Sequence, residues 1–137
     1  MKLETKIKKW SLKDWKDEAW RLCSIYNRRK DNDWKGDGRC CTCSKTLNWQ
    51  EGDAGHFQAG RGNAILFYDK GIHLQCKQCN GPGKGEQYIY GQFLAKRYGQ
   101  DEVDKQIQIK HEVKKYERED YIGFIKEYED KIAKLNV

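Results

Sequence analysis

Two pairs of cysteines have the spacing from which a metal site can be built. Cys40-Cys41-Thr42-Cys43 and Cys76-Lys77-Gln78-Cys79 each contain a C-x-x-C. The two-residue turn lets both sulfurs of a pair face one point, so two pairs can give four thiolates to a tetrahedral Zn²⁺. The first pair holds an ambiguity, because Cys41 and Cys43 are also separated by a single residue. A C-x-C knuckle is tighter and less common, so the expected ligands are Cys40, Cys43, Cys76 and Cys79, with Cys41 as the alternative to Cys40. Four thiolates leave no open coordination position and make zinc a poor Lewis acid, so its expected role is structural. Competing uses of such pairs are a redox couple and buried free thiols. The redox reading lacks the βαβ context of a thioredoxin-like motif. Cys23 stands apart from both pairs and reads as a small buried residue.

Chemistry must then come from groups held near this centre. Between the pairs lies Asp53-Ala54-Gly55-His56-Phe57, and across the second pair runs His73-Leu74-Gln75-Cys76-Lys77-Gln78-Cys79-Asn80. A lone histidine is more often structural than catalytic. A histidine between two knuckles, with a polar side chain just after the last cysteine, is a stronger candidate. Arg61 lies in Gly60-Arg61-Gly62-Asn63. Glycines there let a backbone approach a polyanion and the guanidinium can bind phosphate in a bidentate manner; a plain surface arginine is the equal alternative. Lys84, after the second knuckle, is a weaker case. His111, among charged residues, reads as a solvated side chain.

Three stretches must position these groups. Residues 1–35 read as helical: Ser11 can cap, Asp14 sits in the first turn, and Leu12, Trp15, Ala19, Leu22 and Tyr26 recur at helical spacing. The opposite face and the exit are basic, with Lys13, Lys16, Arg21, Arg28, Arg29 and Lys30. A stop is expected near Asn32. Residues 36–85 are rich in glycine and turns, with brief strands expected over 64–68 and 72–74. Residues 86–137 turn helical again, interrupted at Gly99, with Asp101 and Glu102 opening the next segment. A last helix from about Glu119 carries Tyr121, Ile125, Tyr128, Ile132 and Leu135 as a seam that can pack on the domain or on a second copy.

With 137 residues, 37% hydrophobic and 35% charged, the chain fits one domain with a small core, which a metal can staple. Lys and Arg number 27 against 21 Asp and Glu, a formal net charge of +6. That excess suits a polyanionic partner, or simply keeps a protein away from its isoelectric point. No run approaches the roughly 18 apolar residues of a membrane span. The opening MKLETKIKKW has no apolar run of a secretory signal. A cytoplasmic setting with reduced thiols is expected.

The order C-x-x-C, His, His-Leu-Gln, C-x-x-C-Asn resembles that of zinc-bound HNH endonucleases. The finer pieces DAGHF, GRGN, ILFYD and LQCKQCN, with WRLCSIYNRRKD before the first knuckle, are similar to the phage NinG/Rap recombination-nuclease family. The resemblance runs from about residue 15 to 135. It implies an α+β fold: a small HNH ββα-metal, treble-clef-like zinc core between an N-terminal helix and C-terminal helices. It implies His56 as general base; an unperturbed histidine, with a pKa of about 6.5, suits that role. It implies Asn80 as a ligand of a catalytic Mg²⁺ or Mn²⁺, at the start of the closing helix.

Two positions depart from the HNH pattern. Gly55 stands where an aspartate ligand often precedes the base, so Asp53 is the expected substitute and Asp69 the alternative. His73 takes the place of the middle asparagine, which steadies the loop bearing the base; it can hydrogen-bond a carbonyl or bind metal. The implied partner is DNA, with junctions or related branches as substrate. Arg28, Arg29, Arg61 and Lys84 would be the phosphate contacts, and a homodimer would serve symmetric cutting. A non-catalytic zinc-dependent accessory factor of recombination is the alternative, followed by a sequence-specific restriction or homing nuclease.

Overall fold

The computed structural model describes residues 1–60, 62–81 and 86–135. Helices α1 (Leu3–Lys9) and α2 (Leu12–Arg29) come first, then strands β1 (Asp37–Arg39), β2 (Thr46–Asn48) and β3 (Gly52–His56). A short helix α3 (Asn63–Leu66) leads to β4 (Ile72–Cys76), and α4 (Gln87–Tyr98), α5 (Gln100–Ile109) and α6 (Arg118–Ala133) complete an α+β order. No described helix is long and apolar enough to cross a membrane.

The sequence cues for α2 work as local chemistry. The Ser11 hydroxyl accepts from the Asp14 amide at 3.2 Å, and Asp14 accepts from the Ser11 amide at 3.0 Å. This capping box satisfies two of the amides a helix start leaves open. Trp15, Ala19 and Leu22 are buried, but Leu12 is 49% exposed. The apolar stripe therefore begins one turn later than its spacing suggests. Trp10 packs edge-on against Trp15 with centroids 4.8 Å apart and covers that end instead.

The seam of α6 is used within the chain. Tyr121 and Tyr128 are buried in one cluster with Trp15, Ala19, Leu22, Leu66 and Ile72, and Ile125 and Ile132 pack against it. Each large side chain so buried stabilises the fold by about 2 kcal/mol. A dimer would have to use another surface.

Residues 64–68, expected as a strand, instead hold the end of α3 and the turn after it. The Gly62 carbonyl accepts from Ile65 at 3.0 Å and from Leu66 at 2.9 Å. Ile65 and Leu66 are both buried. Adjacent inward residues fit a helical turn and not a strand, whose side chains alternate. So short a run has no period by which sequence could decide.

A polar network fastens the segment entering β4. Asp69 accepts from Asn27 at 3.0 Å, from Tyr128 at 2.6 Å and from Lys131 at 2.9 Å. The Lys30 ammonium donates to Asn27 Oδ1 at 2.7 Å and to the carbonyls of Asp69 and Ile72 at 2.9 and 2.8 Å. Burial pulls the Lys30 pKa down to about 8 against the attraction of Asp69 and Asp31. Asp69 is thus spent on joining α2 to α6, which removes it as an alternative metal ligand.

Two antiparallel hairpins carry the chemistry-bearing residues. In the first, Asp37 pairs with Asn48 and Arg39 with Thr46. In the second, Gly52 pairs with Cys76, Gly55 with His73 and His56 with Ile72. The Cys41 amide donates to the Leu74 carbonyl at 2.9 Å and ties the hairpins together.

Candidate metal centre and active-site cleft

The turn between β1 and β2 and the end of β4 bring the four expected cysteines together. The sulfurs of Cys40, Cys43, Cys76 and Cys79 all lie within 4.8 Å of one another. Thiolates about 2.3 Å from a tetrahedral zinc stand about 3.8 Å apart, and the Cys43 and Cys76 sulfurs are 3.8 Å apart. The cluster can therefore hold a metal ion such as zinc. Ser44, with φ of 65°, turns the first knuckle back as its amide donates to the Cys40 carbonyl at 2.9 Å. Burial opposes ionisation of Cys40, but the Thr42 hydroxyl and the backbone at Cys76, Cys43 and Thr42 bring its pKa down to about 6. Cys41 is not among these four, and burial pushes its pKa up. That separates Cys40 from Cys41, which spacing alone did not.

Beside the cluster, α2 and β3 border a cleft of about 450 Å³ whose lining includes Trp20, Arg28, Asp53, His56 and Asn80. The Trp20 and His56 rings stack with centroids 5.2 Å apart and planes 24° apart. His56 Nε2 lies 3.2 Å from the Leu66 carbonyl. A carbonyl can only accept, so Nε2 carries a proton directed at it. Asp53 Oδ1 accepts from Lys77 at 2.8 Å and Oδ2 from Asn80 at 3.2 Å. Burial works against the Asp53 charge, but Lys77, Asn80 and Arg28 outweigh it and hold the carboxyl below its ordinary range. Asn80 lies in the turn after the second knuckle, its amide on the Cys76 carbonyl at 3.0 Å. It does not start the closing helix as expected, because α4 begins only at Gln87.

Gly55 has a structural reason for departing from the HNH pattern. A Cβ there would overlap the Gln75 side-chain oxygen. Gln75 is fully buried and donates to Thr42 at 3.1 Å, inside the first knuckle. An aspartate at this position would push the knuckle's own support aside. Asp53 stands three residues before His56, about 10 Å along an extended strand.

His73 is not in the cleft. It is 2% exposed, with Nδ1 3.3 Å from the Tyr90 hydroxyl and Nε2 3.1 Å from that of Tyr98. Burial, aided by the charges of Lys30 and Arg97, lowers its pKa to about 2, so it stays neutral. With both ring nitrogens engaged by hydroxyls, the expectation of His73 as a metal ligand is set aside, and so is any contact with reacting atoms.

Arg28 lines the cleft, donates to the Ser24 carbonyl at 3.1 Å and stacks 4.9 Å from the Trp49 ring. Arg29 approaches the same ring at 5.4 Å. Arg61 and Lys84 lie outside the described residues. Trp20 and Tyr90 are the side chains that sequence reading missed. Trp20 falls beside the apolar stripe and 36 positions from His56, so nothing local announced their stacking. Tyr90 carried one signal: a tyrosine in an apolar stretch must find a partner for its hydroxyl once buried.

Comparison with known proteins agrees over the whole chain. The family described as Bacteriophage Lambda NinG protein matches residues 1–137. Protein ninG of Escherichia phage lambda is 30% identical over 134 residues, covering 95% of this chain and 63% of that protein. Protein ninG of Salmonella phage P22 is likewise 30% identical over 134 residues, covering 95% and 63%. Protein ninG of Enterobacteria phage H19B is 33% identical over 104 residues, covering 73% and 49%. The chain thus spans less than two thirds of the length of these relatives. No solved structure matches. The chain belongs to the NinG family.

Proposed function

We propose that the chain is a metal-dependent DNA endonuclease of the HNH type, acting on branched recombination intermediates in the host cytoplasm. The observation that carries the reading is the cleft, where a strand of the cysteine-anchored hairpin presents His56 and Asp53 beside Asn80 and Arg28. The order β3, β4, α4 agrees with a ββα arrangement. The preference for branches rests on the family resemblance.

In this reading His56 Nδ1 takes a proton from a water as its oxygen bonds to phosphorus. The bond from phosphorus to the departing sugar oxygen breaks, and that oxygen leaves with a proton from solvent. Trp20 holds the ring plane and favours the imidazolium through its π face. Asp53 and Asn80 offer oxygen donors suited to Mg²⁺ or Mn²⁺, which keeps several waters of its own. A bound divalent cation supplies charge to offset what builds on the phosphate and the leaving oxygen. Lys77 must give up Asp53 Oδ1 to make room. Arg28, at the cleft wall, contacts a neighbouring phosphate, with Arg29, Arg61 and Lys84 extending that grip. Such contacts position DNA without reading its sequence. Two copies would cut opposite strands of a junction, through a surface other than the α6 seam.

The test uses zinc-loaded protein with a labelled four-way junction and a linear duplex of the same sequence, with and without Mg²⁺ or Mn²⁺. Cutting that needs the cation and favours the junction is expected. The Lys77 and Asn80 hydrogen bonds, which already satisfy Asp53, favour a second reading as a non-catalytic DNA-binding accessory factor. Tight junction binding without cutting in either metal would select it.

A further inference from the structure

Tyr90 on α4 is fully buried, with its hydroxyl among three polar groups of the hairpin and the turn before β4. It lies 2.6 Å from the Gly55 carbonyl, 3.4 Å from the Gly71 carbonyl and 3.3 Å from His73 Nδ1. A phenol has one proton to give. The shortest contact identifies the Gly55 carbonyl as its main acceptor. The Tyr90 oxygen must then accept from His73, so His73 carries its proton on Nδ1. His73 Nε2 in turn accepts from Tyr98, 3.1 Å away. The result is a buried chain running one way: Tyr98 to His73, His73 to Tyr90, Tyr90 to the Gly55 carbonyl. The group at its end is the peptide joining Gly55 to His56.

We infer that Tyr90 is a positioning residue for His56. Its hydroxyl fixes the Gly55–His56 peptide, and His73 and Tyr98 act only through it. The inference rests on the reading of His56 as the base. A further bond, from the Phe57 amide to the Gly71 carbonyl at 2.9 Å, continues the strand pairing just past His56. Without the hydroxyl, the buried Gly55 carbonyl would keep only its strand-pairing bond with His73 and lose its side-chain donor, leaving the Gly55–His56 peptide freer to shift. A base displaced by about 1 Å can lose on the order of 100-fold in rate.

The experiment compares zinc-loaded wild type with Tyr90→Phe, which removes the hydroxyl and keeps the ring. Leu94→Ala, on the same helix and equally buried, is the stability control. Single-turnover cutting of the junction is measured well below all melting points, together with junction affinity, zinc content, and NMR of the His56 ring and amide. Tyr90→Phe is expected to slow cutting at least tenfold with affinity and zinc content unchanged, to shift the His56 resonances and to speed exchange of its amide. Leu94→Ala should do neither. Cutting within twofold of wild type with unmoved His56 resonances would overturn the inference while leaving the nuclease reading intact. If wild type itself does not cut, the nuclease reading fails, and the His56 resonances and amide exchange decide the positioning role alone: shifted in Tyr90→Phe, it stands; unmoved, it falls.

Discussion

The β3–β4 hairpin is held at its two ends by different means. At the Gly52–Cys76 end, four sulfurs gather two knuckles, and little apolar packing lies around them beyond Leu47, Leu74 and Trp49. At the His56–Ile72 end the anchors are side chains: Tyr90 on the Gly55 carbonyl, Lys30 on the Ile72 carbonyl, and Trp20 against the His56 ring. With a metal held by the four cysteines, the first end would be switched off by removing one ion. The second is distributed over α2, α4 and α6 and loses its order only piece by piece. A domain this small can keep a polar cleft ordered if a metal held by the cysteines replaces a core at one end and leaves the helices for the other.

Metal removal should break this contrast most strongly. Chelation, or Cys76→Ser, is expected to cost several kcal/mol, about 15 °C or more in thermal midpoint. In hydrogen exchange, β1, β2 and the end of β4 should lose protection before α2 and α6. Simultaneous loss everywhere would mean that the ends are not separable. Asp69→Ala attacks the other end. It leaves Tyr128 only the Phe67 carbonyl, Asn27 only the Cys23 carbonyl and sulfur, and Lys131 only Glu127, for an expected loss of about 2 kcal/mol by urea unfolding. Metal affinity of the cysteine cluster should stay the same.

Protonation gives a finer test. The folded pKa of His73 is about 2, set first by burial and then by Lys30 and Arg97, below an unfolded value near 6.5. As pH falls below 6.5 the unfolded chain takes up a proton that folded His73 refuses. Stability is therefore lost in that window, by up to about 1.4 kcal/mol per pH unit. Urea unfolding between pH 6.5 and 5 should show this slope in wild type and a shallower one in His73→Gln. Equal slopes would place His73 in contact with water. The smallest effect concerns the Arg97–Asp31 pair, which joins α4 to the exit of α2 with two bonds of 2.9 and 2.6 Å. Asp31→Asn should cost at most about 0.5 kcal/mol, because the pair is largely solvated.

The end held by cysteines was the more legible in sequence. Two C-x-x-C pairs announce themselves by spacing, and Ser11 with Asp14 announces the start of α2. The seven-residue step from Tyr121 to Tyr128 marks the buried face of α6. The hydrogen-bonded end was not legible, because its contacts join residues far apart in the chain: Trp20 with His56, Asn27 with Asp69, Tyr90 with Gly55. No local pattern distinguishes His73, buried and neutral, from His56 in the cleft. The alternation of the strand puts neighbours on opposite faces, and only the register of Gly55 with His73 shows which face each takes. The short α3 failed as a strand expectation for a related reason, since four residues are too few for either period.

The most direct test sets the two histidines against each other. Cutting of the four-way junction by wild type, His56→Ala and His73→Gln would be measured under single turnover, with DNA affinity measured beside it. His56→Ala is expected to lose at least 100-fold in rate with junction affinity retained, as befits a general base. His73→Gln, acting only through Tyr90, should lose less. Near wild-type cutting by His56→Ala, or a larger loss in His73→Gln at equal folding and zinc content, would contradict the assignment of His56 as base.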